Sequence, residues 1–325
     1  MKKTLIFTIL FLLIIISIFC FKINKKTTRK VKVAEVTHSV FYAPFYVAIE
    51  NKYFEINGLD IELILTPGAD KVSAAVLSND VEIGFAGAES AIYVYNGGEK
   101  DYLQIFSGLT KRDGQFIMGR EINKDFKYED LKGKEILVGR NGGMPALNFL
   151  NALENNNVDI KDININYSID FASLSGAFIS GTGDYVNLFE PNATMLKKNN
   201  KAFIIRSIGK DSGEMPYTTF YARKSYIKNN RDTVKSFTRS INQGLDYVKN
   251  HSAREIAEVI SKQFPDTSIN DLELMIQNYK DADTWLYDSN TSKRNFKNLE
   301  DLLIKNKLIT KYVPFNKLVI NFEND

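Results

Sequence analysis

Cysteine and histidine are almost absent from this sequence of 325 residues. With one cysteine, Cys20, no disulfide can form within the chain, and a zinc site made of four cysteines is excluded. The two histidines, His38 and His251, stand far apart in the sequence. A site built on several His and Cys ligands is therefore not expected, and we predict no bound metal.

A large excess of charge is also missing, because 42 basic residues face 39 acidic ones and the formal net charge is +3. So small an excess predicts neither a nucleic-acid surface nor an electrostatic membrane patch. The sequence also lacks a GxSxG elbow, a Ser-His-Asp set and a GxxxxGK[ST] phosphate loop. We therefore predict a protein that is not an enzyme and uses no cofactor.

The first residues have the pattern of an export signal. MKK is followed by the dense apolar run 4–19, which ends at Cys20. This layout predicts a bacterial lipoprotein with a signal at 1–20, a lipid on Cys20 and a polar tether at 21–30. Phe19 departs from the small residue expected before a lipidated cysteine, so an ordinary signal or an uncleaved membrane anchor remains an alternative. The anchor is possible because about 17 apolar residues is the lower limit for spanning a membrane. Each alternative places the rest of the chain outside the cytoplasmic membrane, anchored or periplasmic.

The residues after the tether predict an α/β protein with two lobes. Strands are expected at 31–36, 60–66, 81–87 and 102–110, with helices between them, and this order favours a parallel sheet covered by helices. The pattern restarts with strands at 114–120, 134–140, 165–170, 184–190 and 202–208. A strand at 218–227 returns to the first unit, and 231–310 is helical. We predict lobe 1 at 31–113 and 219–325, and lobe 2 at 114–218.

The stretch GRNGGMPALNFL (139–150) begins a helix with two glycines and a proline. Glycines let backbone N–H groups approach a guest, and the start of a helix attracts an acceptor atom. Other loops of interest follow the strands ending at 36, 66 and 87. Because ligands of open α/β sheets sit beyond the carboxyl ends of the strands, these loops predict one shared pocket.

Three segments carry a family resemblance: SVFYAPFYVAIENKYFEINGLDIEL (39–63), LSNDVEIGFAGAES (77–90) and LKGKEILVGRNGGMP (131–145). In order and spacing they resemble the substrate-binding proteins of ABC importers, in the group that includes binders of nitrate, taurine, alkanesulfonates and thiamine-pyrimidine precursors. The resemblance implies a two-lobed type II periplasmic-binding-protein fold that closes on a small molecule as a monomer. It also implies delivery to a membrane permease and its ATPase.

A ligand that closes two lobes must touch both of them. The candidate contacts in lobe 1 are His38, Phe41, Tyr42, Asp70, Gly87 and Glu89, and those in lobe 2 are Asn141, Gly142, Gly143, Met144, Asp170, Asp184 and Glu190.

Each expected role has a structural alternative. Phe41 and Tyr42 would stack on a planar ligand, or Phe41 belongs to the core. Glu89 and Glu190 would accept from amino groups, or Glu89 caps its helix. In the same way, Asp70 is either a contact or a helix cap, and His38 either touches ligand or bonds a loop carbonyl.

Carboxylates outnumber arginines in these loops, and a desolvated carboxylate beside an anion is unfavourable. We therefore expect a pyrimidine-like or amine-bearing ligand, with sulfonate- or nitrate-type anions as the alternative. Relatives that synthesise the thiamine pyrimidine carry a cysteine-rich motif, which this chain lacks. A ligand-sensing module for a separate signalling partner remains a further alternative.

Overall fold

The computed structural model describes residues 28–322. The predicted export signal and Cys20 lie outside these residues. The described part forms two five-stranded sheets from ten strands: β1 Arg29–Glu35, β2 Leu59–Leu65, β3 Ile83–Gly87, β4 Leu103–Thr110, β5 Phe116–Gly119, β6 Glu135–Leu137, β7 Asn164–Asn166, β8 Tyr185–Leu188, β9 Phe203–Ser207 and β10 Thr218–Arg223.

Helices cover both sheets. The first seven in chain order are α1 Ala43–Glu50, α2 Tyr53–Ile56, α3 Ala69–Leu77, α4 Glu89–Asn96, α5 Met144–Asn155, α6 Leu174–Ile179 and α7 Asn192–Lys198. They are followed by α8 Ile208–Ser212, α9 Lys224–Asn229, α10 Arg231–Asn250, α11 Ala253–Ile260, α12 Ile269–Asp281, α13 Lys293–Lys305 and α14 Phe315–Leu318. Short 3₁₀ helices lie at Val40–Tyr42, Tyr128–Leu131, Ile160–Asp162, Phe171–Ser173 and Ser261–Gln263.

Both sheets are mixed and share one plan. The first has the strand order β2-β1-β3-β10-β4, in which β1 is parallel to β2 and β3, and β10 is antiparallel to β3 and β4. The second has the order β7-β6-β8-β5-β9, in which β6 is parallel to β7 and β8, and β5 is antiparallel to β8 and β9. In each sheet, therefore, an antiparallel strand lies between the parallel core and an edge strand: β10 in the first sheet and β5 in the second.

The apolar runs explain the inner strands of the first sheet. All eight residues of β4 are buried, as expected for a strand with helices on both faces. Phe85 on β3 stacks on Phe220 of β10, with ring centroids 4.1 Å apart and planes inclined by 9°. Phe45 and Phe237, from helices above the sheet, pack edgewise on Phe220 at 5.1 and 5.0 Å. This aromatic cluster fixes α1 and α10 on the sheet.

The expected strands and helices are present, with three local corrections. The helix expected between the first two strands breaks at Lys52, which adopts a left-handed φ of 59° and separates α1 from α2. The strand expected over 218–227 ends at Arg223, and α9 begins at Lys224. Asp70 does not cap α3, because the N-cap is Gly68 and Asp70 lies inside the first turn.

Two segments cross between the sheets: 111–115 leads from β4 to β5, and 213–217 leads from α8 back to β10. They run side by side, because Met215 N–H donates to the Lys111 carbonyl at 3.0 Å and Tyr217 N–H donates to the Thr110 carbonyl at 3.1 Å. Paired crossovers give the molecule its two-lobed shape. The lobe boundaries 31–113, 114–218 and 219–325 stay a proposal. Within residues 28–322, the structure has no helix both long and apolar enough to cross a membrane.

Candidate ligand-binding site

The loops at the carboxyl ends of both sheets meet between the lobes. Two hydrogen bonds join them directly: the Tyr93 hydroxyl of α4 donates to the Gly142 carbonyl at 2.9 Å, and the Ser39 hydroxyl donates to the Glu190 carbonyl at 2.7 Å. Ser39 follows β1, and Glu190 follows β8. The region of the predicted shared pocket is therefore a closed seam between the lobes, where α4 meets the loop before α5 and the loop after β1 meets the loop after β8.

Glu89 is the central polar group of this seam. It begins α4 in lobe 1, is 2% exposed, and faces the N–H of Met144 at the start of α5 in lobe 2. Burial raises the pKa of Glu89 to about 7, although the Arg140 guanidinium and the Met144 N–H act in the opposite direction. A Cβ at Gly87 would lie 2.0 Å from Glu89 Oε2, so glycine at this position lets the carboxyl fold back over the end of β3.

The start of α5 has the geometry that the GGMP motif predicts. Gly142 has a φ of +77°, which favours glycine, and Gly143 is the N-cap with an extended backbone and no side-chain cap. Met144 and Pro145 form the first turn. The N-cap residue therefore bonds none of the N–H groups of this turn through a side chain, and the Glu89 carboxyl of the other lobe faces the Met144 N–H instead.

Aromatic rings line the seam beside Glu89. Phe41 and Tyr42 are 1% and 3% exposed, and the Phe41 ring lies 5.2 Å from Phe189 of lobe 2 and 5.6 Å from Tyr217 of the second crossover. The Trp285 indole N–H donates to the Phe41 carbonyl at 2.8 Å, which fixes this loop. In this closed arrangement Phe41 packs as core and also forms part of the contact between lobes.

Glu190 is buried at the end of β8, but its carboxylate is already occupied. It accepts from the Thr194 N–H at 2.8 Å, from the Thr194 hydroxyl at 2.9 Å and from the Asn278 amide at 2.9 Å. The Glu190 N–H donates to the Tyr279 hydroxyl at 2.9 Å. These bonds join α7 of lobe 2 to α12, so the geometry favours a structural role for the carboxylate over contact with amino groups.

His38 lies in lobe 1 with both ring nitrogens engaged. Nδ1 lies 2.8 Å from Glu35 Oε1, and Nε2 lies 2.9 Å from the Gln263 carbonyl. Burial lowers the pKa of His38, but the Glu35 carboxylate and the Gln263 carbonyl outweigh burial and leave it raised. This matches the alternative role as a bond to a loop carbonyl.

The remaining candidates are exposed: Asp70, Asn141, Asp170 and Asp184. Asp184 precedes β8 and therefore lies at the amino end of that strand, where its Oδ2 accepts from the Glu135 N–H at 2.8 Å. The structure does not bring these four side chains into the buried seam.

Sequence reasoning missed Tyr93, Phe189 and Tyr217. Tyr93 is one turn after Glu89 on α4, and this i, i+4 spacing places both on one helix face, which is a usable signal. Phe189 precedes Glu190 at a strand end that was already singled out. Tyr217 lies on a crossover, and only the assembled fold brings it near Phe41.

A surface groove of about 930 Å³ runs along β7, at the outer edge of the second sheet. Its polar side chains already bond one another, since the Asn166 amide donates to Glu135 at 2.8 Å. The groove therefore offers less to a ligand than the seam. Among residues 28–322, no three or more His, Cys, Asp or Glu side chains are grouped so as to hold a metal ion.

The family model described as NMT1/THI5 like matches residues 40–255 of this chain. The chain belongs to the NMT1/THI5-like family. A family relative in Bacillus subtilis (strain 168), named "Putative binding protein YtlA", is 42% identical over 297 residues, which cover 91% of this chain and 89% of that protein.

Solved structures share the fold of this family member at low identity. The alkanesulfonate-binding protein SsuA from Xanthomonas axonopodis pv. citri, bound to MOPS, has a TM-score of 0.71 at 16% identity and covers 90% of this chain and 98% of its own. The periplasmic aliphatic sulphonate binding protein SsuA from Escherichia coli has a TM-score of 0.68 at 16% identity, and the match covers 89% of this chain and 97% of that protein. The periplasmic nitrate-binding protein NrtA from Synechocystis PCC 6803 has a TM-score of 0.59 at 14% identity, and the match covers 75% of this chain and 69% of that protein. These likenesses confirm the predicted two-lobed α/β binding-protein fold.

Proposed function

We propose that this chain is the extracytoplasmic substrate-binding protein of an ABC importer. In this proposal its lobes close on a small organic molecule and carry it to a permease and its ATPase. The observation that carries the proposal is the buried seam, in which Glu89 of one lobe meets the start of α5 in the other. The Tyr93–Gly142 hydrogen bond closes the same seam. The names of the relatives support binding as the activity, in place of catalysis.

The proposed contacts come from both lobes. In lobe 1 they are Phe41, Tyr42, Gly87, Glu89 and Tyr93; in lobe 2 and the crossovers they are Gly142, Gly143, Met144, Phe189 and Tyr217. Aromatic faces would sandwich a flat ligand, and Glu89 would accept from its amino group.

The chemistry of the seam favours a pyrimidine-like or amine-bearing heterocycle. Two carboxyls, Glu89 and Asp113, are buried there, and burial raises the pKa of both. Arg112 is paired with Glu214 at 3.0 Å, and Arg140, which is exposed, already acts on Glu89. An anion in the seam would face buried acids and would compete with them for these arginines, which is unfavourable.

Sulfonate- or nitrate-type anions are the second candidate. The start of α5 supports them, because its N–H groups and partial positive charge suit an anion, which would take the place of the Glu89 carboxyl at the Met144 N–H. Two of the structural neighbours bind alkanesulfonate or nitrate according to their names.

Thermal unfolding against a panel tests the function and the ligand class. The panel holds aminopyrimidines, thiamine, riboflavin, taurine, alkanesulfonates, nitrate and bicarbonate. A ligand at a hundred times its Kd adds about 2.7 kcal/mol to stability, which raises the Tm by several degrees. Stabilisation by heterocycles supports the proposal. Stabilisation by sulfonates or nitrate alone would replace the proposed heterocycle by an anion as the ligand. A lack of stabilisation by any compound would count against the function.

We also propose that the protein is a monomer held at the outer face of the membrane by lipid on Cys20, or by its N-terminal segment. Intact-protein mass spectrometry tests the lipid: an unmodified Cys20 thiol in the cell-derived protein would refute it. A sensor that reports ligand to a separate signalling partner stays the alternative, and loss of uptake on deletion of the chain would favour import.

A further inference from the structure

Six buried polar side chains in or near the crossovers have atoms without a hydrogen-bond partner in the described protein. The two amides Gln115 and Asn187 are fully buried, and neither the nitrogen nor the oxygen of either amide is bonded. The other unpartnered atoms are Asp113 Oδ2, Asn148 Oδ1, Ser212 Oγ and Tyr217 Oη, on residues that are at most 4% exposed.

The two unpartnered amides share one face of the second sheet. Asn187 on β8 stands opposite Ile117 on β5, and Gln115 lies two residues before Ile117. Gln115 is the last residue of the first crossover, but the bond from the Ile208 N–H to its carbonyl extends the β5–β9 ladder to it, so its side chain is expected on the same face as Ile117 and diagonal to Asn187. Ile117 packs in the same cluster as Ala146 of α5 and Ile208 of α8, which identifies this face as the one beneath those helices.

Other contacts bring the remaining groups to this face. The Ile208 N–H of α8 donates to the Gln115 carbonyl at 3.0 Å. The Asn151 amide of α5 donates to the Ser212 carbonyl at 2.6 Å, and Asn148 lies one turn before Asn151 on the same side of α5. Helices α5 and α8 therefore cover one side of the amides, which lie at the end of the sheet nearest the seam, because Gln115 directly precedes β5 and Asn187 is the next to last residue of β8.

The polar cluster is continuous with the aromatic seam. The Tyr217 hydroxyl faces the Asp113 carboxyl, although neither Asp113 Oδ2 nor Tyr217 Oη completes a well-formed hydrogen bond. The Tyr217 ring packs on Phe41 at 5.6 Å and on Phe189 at 6.4 Å. A ligand held by the rings would therefore present one edge to the polar cluster.

Buried amides without partners are unfavourable for folding, and native proteins keep few of them. Such groups are expected where a partner other than the chain itself completes them. Each amide presents a donor and an acceptor side by side. Two of them together match a ligand edge on which donors and acceptors also alternate.

We propose that Gln115 and Asn187 form a recognition floor, which is a pair of amides that hydrogen-bonds the polar edge of an uncharged planar heterocycle. This inference rests on the proposed function and specifies its ligand: the edge carries an amide or an amidine group. The floor accounts for specificity, while the rings and Glu89 supply stacking and closure.

Two near-isosteric variants of the full chain, Asn187→Leu and Gln115→Met, test the floor. The probes are cytosine and the aminopyrimidines of the thermal panel, with titration calorimetry for the Kd. We expect each variant to weaken binding at least tenfold, because each leaves ligand groups unpaired. The Tm of the ligand-free protein should stay equal or rise, because an unpaired buried polar group is removed.

Asn57→Leu is the matched control. Asn57 lies before β2, at the amino end of the first sheet, and its amide donates to the Tyr53 carbonyl, Ser240 and Gln243 at 2.8, 3.0 and 2.8 Å. This variant should lower the Tm and leave the Kd unchanged.

Three results would overturn the floor. A fall in the ligand-free Tm like that of the control would show that the amides hold the fold. An unchanged Kd with an unchanged Tm would show that water molecules, and not the ligand, complete the hydrogen bonds of the amides. Absence of heterocycle binding by the unaltered protein would refute the proposed ligand class together with the floor, whereas binding that both variants retain would refute the floor alone.

Discussion

Replacing Glu89 by glutamine should remove a penalty that burial imposes on the folded protein at neutral pH. The structure raises the pKa of this carboxyl from 4.5 to about 7. Below pH 4.5 the group is protonated in both the folded and the unfolded chain. Between pH 4.5 and about 7 the unfolded chain ionises while the folded one holds its proton, so stability falls as the pH rises, and the loss is complete above about 7.

The size of this loss follows from the difference between the two pKa values. At about 1.4 kcal/mol for each pH unit, the Glu89 carboxyl costs the folded state about 3 kcal/mol at pH 8. Glutamine is close in shape and carries no charge. We therefore expect Glu89→Gln to be more stable than the unaltered protein at pH 8 and close to it, or slightly less stable, at pH 4.5.

Urea unfolding of both proteins at several values between pH 4.5 and 8 measures this effect. The difference between the two unfolding free energies isolates Glu89, because the other titrating groups are shared. Glu62→Gln serves as a control, since Glu62 is a solvent-accessible carboxylate paired with Lys30 and its pKa is lowered. A difference between Glu89→Gln and the parent that does not change with pH would refute the reasoning.

Three further substitutions probe the seam. Tyr93→Phe removes the cross-lobe hydrogen bond, which is worth about 1 kcal/mol, so calorimetry should show a roughly fivefold weaker Kd, while Tyr95→Phe on the same helix leaves it unchanged. Gly87→Ala places a Cβ 2.0 Å from the Glu89 carboxyl, so it should weaken ligand binding with little loss of Tm. In the control Gly176→Ala the added Cβ meets open space, so neither the Kd nor the Tm should change, and an equal change of Kd in both variants would contradict this account. Glu190→Ala leaves three donors unpaired and should lower the unfolding free energy by about 3 kcal/mol; an unchanged Tm with lost binding would instead restore its role as a ligand contact.

The fold was predictable from local pattern because its inner strands are continuous apolar runs between turn signals. The order of these runs predicts the parallel core of each sheet. What the pattern did not show is where a strand yields to a helix without a glycine or proline. The strand at 218–227 was extended too far for this reason, since nothing in the sequence marks the change at Lys224.

The arrangement of the candidate site was predictable where it depends on the ends of strands. Glu89 and the glycines before Met144 follow β3 and β6, and the structure brings them together. Asp184 was misplaced because the predicted strand began one residue early, which hid that it precedes β8. The role of the Glu190 carboxylate depends on Asn278, 88 residues further along the chain, and no local pattern reports such a partner.

The distance between the two lobes, with and without ligand, tests the central claim most directly. Asp70 and Asp170 are exposed and lie beyond β2 and β7, one in each lobe. Spin labels at Asp70→Cys and Asp170→Cys, in a chain that also carries Cys20→Ser, report their separation by pulsed electron resonance. With the panel compound that raises the Tm most, we predict a shorter and narrower distance distribution than in the ligand-free protein. The same distribution in both states would contradict closure of two lobes on a small molecule.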